Sequence, residues 1–160
     1  HDAEYLRLLS AEPAYPLSPG HIKKKHEAAE KESEKANNQF HFAIRARADD
    51  RLLGFVSLEY IEWTHGAGMV RLGIGDPNER GHGYGTEALQ LMLRYTFSEL
   101  NLYRLMAVTS EYNPRAVRFF GRAGFTVEVR QRQALHRDGR RWDVLIMGLL
   151  REEWEARCKT

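Results

Sequence analysis

Three glycines fall close together in Arg80-Gly81-His82-Gly83-Tyr84-Gly85-Thr86, between a strand-like pattern and an apolar helical one. No other feature constrains the fold as much. Without Cβ atoms the chain curls tightly enough to aim consecutive N–H groups at one anion. The helix that follows adds its own unpaired N–H groups and the positive end of its dipole, so the segment reads as a phosphate cradle. It is not a P-loop, which needs G-x-x-x-x-G-K-[ST]. Nor is it a dinucleotide fingerprint, because the third position beyond Gly83 holds Thr86. What remains is R-x-x-G-x-G at Arg80, Gly83 and Gly85, after the turn Asp76-Pro77-Asn78-Glu79. The bland alternative is a glycine-rich turn that holds no ligand.

The surrounding periodicities predict one mixed domain over residues 1–160, a length that suits one core and not two. Phe40, Phe42 and Ile44 alternate as a strand, the turn Asp49-Asp50 follows, and Leu53 to Leu58 opens a second strand running towards Trp63. Met69 to Gly75 is a third strand, with Val70, Leu72 and Ile74 on one face and Gly73 and Gly75 on the other. Thr86 to Leu100 has helical spacing, and Leu105 to Thr109 is a short core strand. Asn113 is an N-cap, Pro114 suits the first helical position, and Gly124 ends that helix. Phe125–Leu135 and Trp142–Leu150 close as a hairpin across Asp138-Gly139. Before Phe40, prolines end any helix near Tyr5–Leu9, and His21–Asn38 reads as an exposed Lys/Glu helix, either a cleft wall or a solvated face. Together these elements give an α/β (α+β) fold, one twisted, mainly antiparallel sheet with helices on both faces.

The glycine loop and several neighbours resemble the GNAT superfamily, the acetyl-CoA-dependent N-acetyltransferases, whose pyrophosphate loop has the form Q/R-x-x-G-x-G/A. Gly73-Ile74-Gly75-Asp76-Pro77, Glu87-Ala88-Leu89, Asn113-Pro114-Arg115-Ala116-Val117, Ala123-Gly124-Phe125, and Asp138-Gly139-Arg140 with Asp143 are similar to the branch that acetylates ribosomal-protein N-termini and polyamines. The resemblance covers roughly residues 40 to 154. It implies that Gly73, Ile74 and Gly75 border the pantetheine arm. It also implies that Arg80, Gly81, His82, Gly83, Tyr84, Gly85 and Thr86 surround the pyrophosphate, and that Asn113 and Phe120 touch the cofactor. It places a first strand before the segment that starts here. His1 stands where an initiator Met is expected, so that strand is expected upstream. Acceptor choice is expected to rest on residues 1–40 and the loop at His65-Gly66.

Acetyl transfer to an amine needs a held thioester, a neutral nucleophile, and stabilisation of the oxyanion and departing thiolate. Removing the amine's proton is the job of a carboxylate that many relatives carry on a central strand, and Met69–Gly75 has none. Glu59 and Glu62 on the preceding strand are the nearest candidates. Glu59 is favoured because it shares a face with Ser57 and Trp63, against the bland reading of a solvated strand glutamate. Where many relatives have a Tyr as general acid, this chain has Phe120. Tyr112 and Ser110 are the substitutes, and a thiol with a pKa of about 8.5 leaves readily as thiolate in any case.

The expected activity is therefore acetyl-CoA-dependent N-acetylation of a primary amine on a peptide N-terminus or small molecule. The rival is a non-catalytic acyl-CoA-binding module. A formal net charge of +2 gives no general footprint for nucleic acid, and no apolar run has membrane-spanning length. No His pair has H-E-x-x-H spacing and Cys158 is the sole cysteine, so no metal site is expected and a reducing cytoplasm suits the chain. A monomer or homodimer is expected.

Overall fold

The computed structural model describes residues 38–159 together with Ser18, Gly20, His21, Lys23, Lys24, Glu27 and Ala28. The helix expected near Tyr5–Leu9 and most of the Lys/Glu helix lie outside the described residues. Six strands, β1 (Phe40–Arg45), β2 (Leu52–Glu62), β3 (Ala67–Ile74), β4 (Arg104–Ser110), β5 (Thr126–Arg137) and β6 (Arg140–Leu150), form one sheet. Their spatial order is β1-β2-β3-β4-β6-β5. Neighbours are antiparallel except β3 and β4, which run parallel because the connection between them carries a helix. The sheet is thus mixed and mainly antiparallel, as the sequence predicts.

Cross-strand register decides which side chains meet. Phe40, Phe42 and Ile44 stand opposite Leu58, Val56 and Gly54. Val56 and Leu58 in turn stand opposite Leu72 and Val70, and Leu105 and Ala107 opposite Leu149 and Met147. One face therefore carries the apolar alternation of every central strand. Helix α1 (Tyr84–Arg94) lays Leu89, Met92 and Leu93 on it, and α2 (Pro114–Ala123) adds Phe120 to the same cluster. A further helix, α3 (Arg151–Cys158), follows β6 directly and packs Trp154 on Phe97 at 5.3 Å between ring centroids. Helices α1, α2 and α3 all pack against this one cluster. No helix among the described residues is long and apolar enough to cross a membrane.

Two elements depart locally from regular geometry. The helix expected to run through to Leu100 opens into a π-helical turn at Tyr95–Glu99, where the Leu100 amide reaches the Tyr95 carbonyl. The wider turn carries Thr96 and Phe97 inward and presents the Phe97 carbonyl to the Arg151 guanidinium. In β2, Tyr60 takes φ 52° and the register with β3 shifts between Glu59 and Glu62. This bulge breaks the alternation on which the shared face of Glu59 and Trp63 was expected. Trp63 instead packs edge-on against Phe40, on the core side.

β2 and β3 approach closely at Gly54, where an added Cβ would meet the Gly73 carbonyl oxygen at 2.0 Å. Only a residue without a Cβ fits between these backbones. Gly54→Val is expected to lower stability by about 1–3 kcal/mol or more, the usual cost of overpacking, read as a lower denaturant midpoint. An unchanged midpoint would show that the strands part without cost.

Candidate functional site

β3 and β4 pair only through Ala67–Met69 against Arg104–Met106. Beyond Met69 the two strands share no register, and a groove of about 1170 Å³ opens beside them. Leu72, Gly73 and Ile74 from β3 line it, with Asn113 after β4, Gly81, Gly83, Gly85 and Thr86 from the loop, and Phe119 and Phe120 from α2. Residues far apart in sequence thus meet at one cleft.

The loop end is built by backbone conformation. Gly81 and Gly83 have φ 86° and 91°, in the left-handed region that favours glycine. Gly83 is the N-cap of α1 and supplies no side-chain bond to the first turn, so the leading amides of that helix are left to an external acceptor. At Gly85 the helix passes close to β3 and α2: a Cβ there would lie 3.4 Å from Leu72 and 3.7 Å from Phe119. Arg80 lines the groove too, and its guanidinium donates to the carbonyls of Ile74 (3.1 Å) and Gly75 (2.9 Å). It clamps the loop onto the end of β3.

Three residues expected at the cofactor do not line this groove. The Gly75 amide turns away to the Leu53 carbonyl, at 2.9 Å. His82 is exposed on the loop with its ring 6.3 Å from that of Tyr84. Tyr84 lines a second, mostly apolar groove of about 640 Å³ between β1 and α1, with Phe42, Ile44, Leu91 and Tyr95. Within the loop, His82 and Tyr84 alternate with the groove-lining Gly81, Gly83 and Gly85, two of which hold positive φ.

Asn113 caps α2 and also borders the groove. Its side-chain oxygen accepts from the Ala116 amide at 3.1 Å. Phe120 is 7% exposed and packs edge-on against Phe119 and Phe125, so where a hydroxyl was sought the wall is a core phenyl ring. Tyr112, one residue before Asn113, is half-buried and packs edge-on against Trp142 at 5.2 Å.

Glu59 is only 8% exposed, unlike the solvated glutamate of the bland reading, and Glu62 is exposed. Glu59 stands opposite Met69, at the height where β3 and β4 begin to part, on the sheet face away from α1, α2 and α3. The Ser57 hydroxyl donates to its Oε1 at 2.7 Å and Arg71 approaches its Oε2 at 3.5 Å. The groove and the carboxylate therefore address the strand opening from opposite faces.

Sequence reasoning missed the charge of the groove wall. Arg80, Arg94, Arg115, Arg118, Arg122 and Arg157 line it against one acid, Glu79, which is already paired with Arg51. Arg115, Arg118 and Arg122 recur at helical spacing on one side of α2, a signal that was legible but resembles a solvated face. Among the described residues, no group of three or more His, Cys, Asp or Glu side chains is placed to hold a metal ion.

Comparison with known proteins agrees with this geometry. The acetyltransferase (GNAT) domain model matches residues 1–126. An uncharacterised N-acetyltransferase of Bacillus subtilis, YnaD, is 31% identical over 122 residues, covering 75% of this chain and 69% of that protein. Spermidine N(1)-acetyltransferase of Escherichia coli K12 is 28% identical over 112 residues, and this chain spans 60% of its length while 70% of the chain is matched. In fold, the chain superposes on the crystal structure of spermidine N-acetyltransferase from Vibrio cholerae in complex with CoA and spermine. The TM-score is 0.82 over 96% of this chain and 86% of the other, at 23% identity. With the glycine loop, the parted strands and the capped α2 in place, the chain belongs to the GNAT acetyltransferase domain family.

Proposed function

We propose that this chain transfers the acetyl group of acetyl-CoA to a primary amine, on a peptide N-terminus or a small molecule, by direct attack within a ternary complex. The observation that carries the reading is the single groove joining the uncapped start of α1, the end of β3 and Asn113. The residues present fit the cofactor. Amides from Gly81 to Thr86 offer donors for a pyrophosphate, the arginine wall suits a polyanion, and the unpaired end of β3 suits an extended arm. Glu59 is the proposed acceptor of the amine's proton, directly or through water. The departing sulfur needs no strong acid, because a thiol ionises near neutral pH, so Phe120 is compatible with turnover. Spermidine, the substrate named for the Escherichia coli relative, is one small amine to try.

Release of free thiol from acetyl-CoA that depends on added amine tests the reading. Absence of thiol release with every amine of a broad panel would leave the non-catalytic acyl-CoA module. The arginine wall adds a second expectation: acetyl-CoA affinity falls as salt rises, and Arg118→Glu with Arg122→Glu weakens binding by about tenfold or more, measured by calorimetry. A salt-independent dissociation constant would remove the wall from the cofactor's contacts.

A further inference from the structure

At the tip of the β5–β6 hairpin a guanidinium sits over an aromatic ring with one of its bonds unmade. Arg137 lies over the Tyr112 ring, 5.5 Å from its centroid, and its Nη1 is buried with no hydrogen-bond partner. Its backbone is held in place, since Trp142 Nε1 donates to the Arg137 carbonyl at 3.2 Å. Trp142 in turn packs on Tyr112 and carries the Arg140 guanidinium over its outer face at 3.6 Å. An unpaired buried donor is costly, more so on a charged group, and the ring beneath Arg137 offsets only part of that cost. The residue as a whole is half-buried, so a modest swing of its side chain exchanges the unmade bond for one to a ligand.

The neighbouring carboxylates are already committed. Glu111 and Asp143 both bond Arg130, at 3.4 and 2.7 Å. Arg130 together with the Gln133 amide holds the Asp143 carboxyl below the usual carboxylate range, so that pair stays ionised at neutral pH. Glu59 is bonded by Ser57 and Arg71. Asp138, in the hairpin turn, is outnumbered in the sequence of the same hairpin by Arg132, Arg137, Arg140 and Arg141. This end of the molecule therefore attracts anions, and through Tyr112 it adjoins Asn113 on the groove wall.

We propose that Arg137, braced by Tyr112 and Trp142, is a subsite for a carboxylate carried by the acceptor, so that the preferred substrate is an amine with an acidic group nearby and not a polycation. This rests on the acetyl-transfer reading above. A guanidinium fork recognises a carboxylate by charge-assisted, bidentate bonds, and the ring keeps the fork oriented before the ligand arrives.

The test uses tripeptides identical except for Asp against Asn, or Glu against Gln, at the second position. In the wild-type protein the acidic member should show a KM about tenfold lower or better with similar kcat, and spermidine should be the poorer substrate. In Arg137→Gln the two KM values should fall within about twofold of one another, and Arg137→Lys should keep part of the preference. A second readout does not need turnover: calorimetric titration of the N-acetylated tripeptides in the presence of CoA should show the same tenfold preference and its loss in Arg137→Gln. Equal KM values in the wild type, a preference for spermidine, or an acid preference that survives Arg137→Gln would overturn the subsite while leaving acetyl transfer standing. If no amine is acetylated, the earlier reading fails, and the calorimetric preference alone decides the subsite.

Discussion

Gly83→Val is expected to weaken acetyl-CoA binding by about a hundredfold or more in calorimetry, with the far-ultraviolet spectrum of the fold retained. Gly83 holds φ 91° at the cap of α1, and nothing lies within 4 Å of where its Cβ would be. The loss is therefore not one of packing. A left-handed L-residue costs roughly 1–2 kcal/mol, and β-branching makes that conformation worse. The loop relaxes to negative φ and its amides turn away from the point at which they converge. Because Asn enters the left-handed region more readily than Val, Gly83→Asn should bind with intermediate affinity. Binding of Gly83→Val at wild-type affinity would sink the phosphate-cradle reading.

Glu59→Gln is expected to reduce kcat by roughly 10²-fold at neutral pH without weakening acetyl-CoA binding, within the usual range for removal of a general base. The deficit should shrink as pH rises past the acceptor's own pKa of about 8 for an α-amine, since the amine then sheds its proton unaided. Stability provides the control. Gln keeps an acceptor for Ser57, and the lost ion pair involves Arg71, whose side chain is 41% exposed, so solvent screens it to less than about 1 kcal/mol. A large kcat loss with a small fall in Tm marks a chemical role. A pH–rate profile that matches the wild type would instead make Glu59 a structural partner of Arg71.

The sequence was most readable where a single residue satisfies a local rule. Asn113, Pro114 and Gly124 bound α2 as cap, first helical residue and left-handed terminator, because each role depends on that residue's own backbone and side chain. The loop glycines were readable for the same reason. Helix α3 was not, because Trp154 is its main apolar anchor and its first turn is capped by Glu153 reaching back to Leu150. Nothing about Tyr60 signals positive φ, so the bulge that separates Glu59 from Trp63 had no local sign. The burial of Glu59 depends on Ser57 beside it and Arg71 across the strand pair, and such partners emerge only once register is set. Arg137 is the extreme case, since its ring contact joins a residue after β4 to the far end of the β5–β6 hairpin.

The short pairing of β3 with β4 has a mechanical consequence. The sheet is two leaves, β1-β2-β3 and β4-β6-β5, bound along a spine of three register positions, Ala67 to Met69 against Arg104 to Met106. On one face the core cluster rivets the leaves together, because Leu58 and Val70 from one leaf and Leu105, Ala107 and Met147 from the other share a single apolar packing with α1 and α2. On the opposite face none of α1, α2 and α3 spans the seam. The angle between the leaves is thus set from one side only, like a book held by its binding, and whatever wedges the open margin also sets the separation between the groove and Glu59.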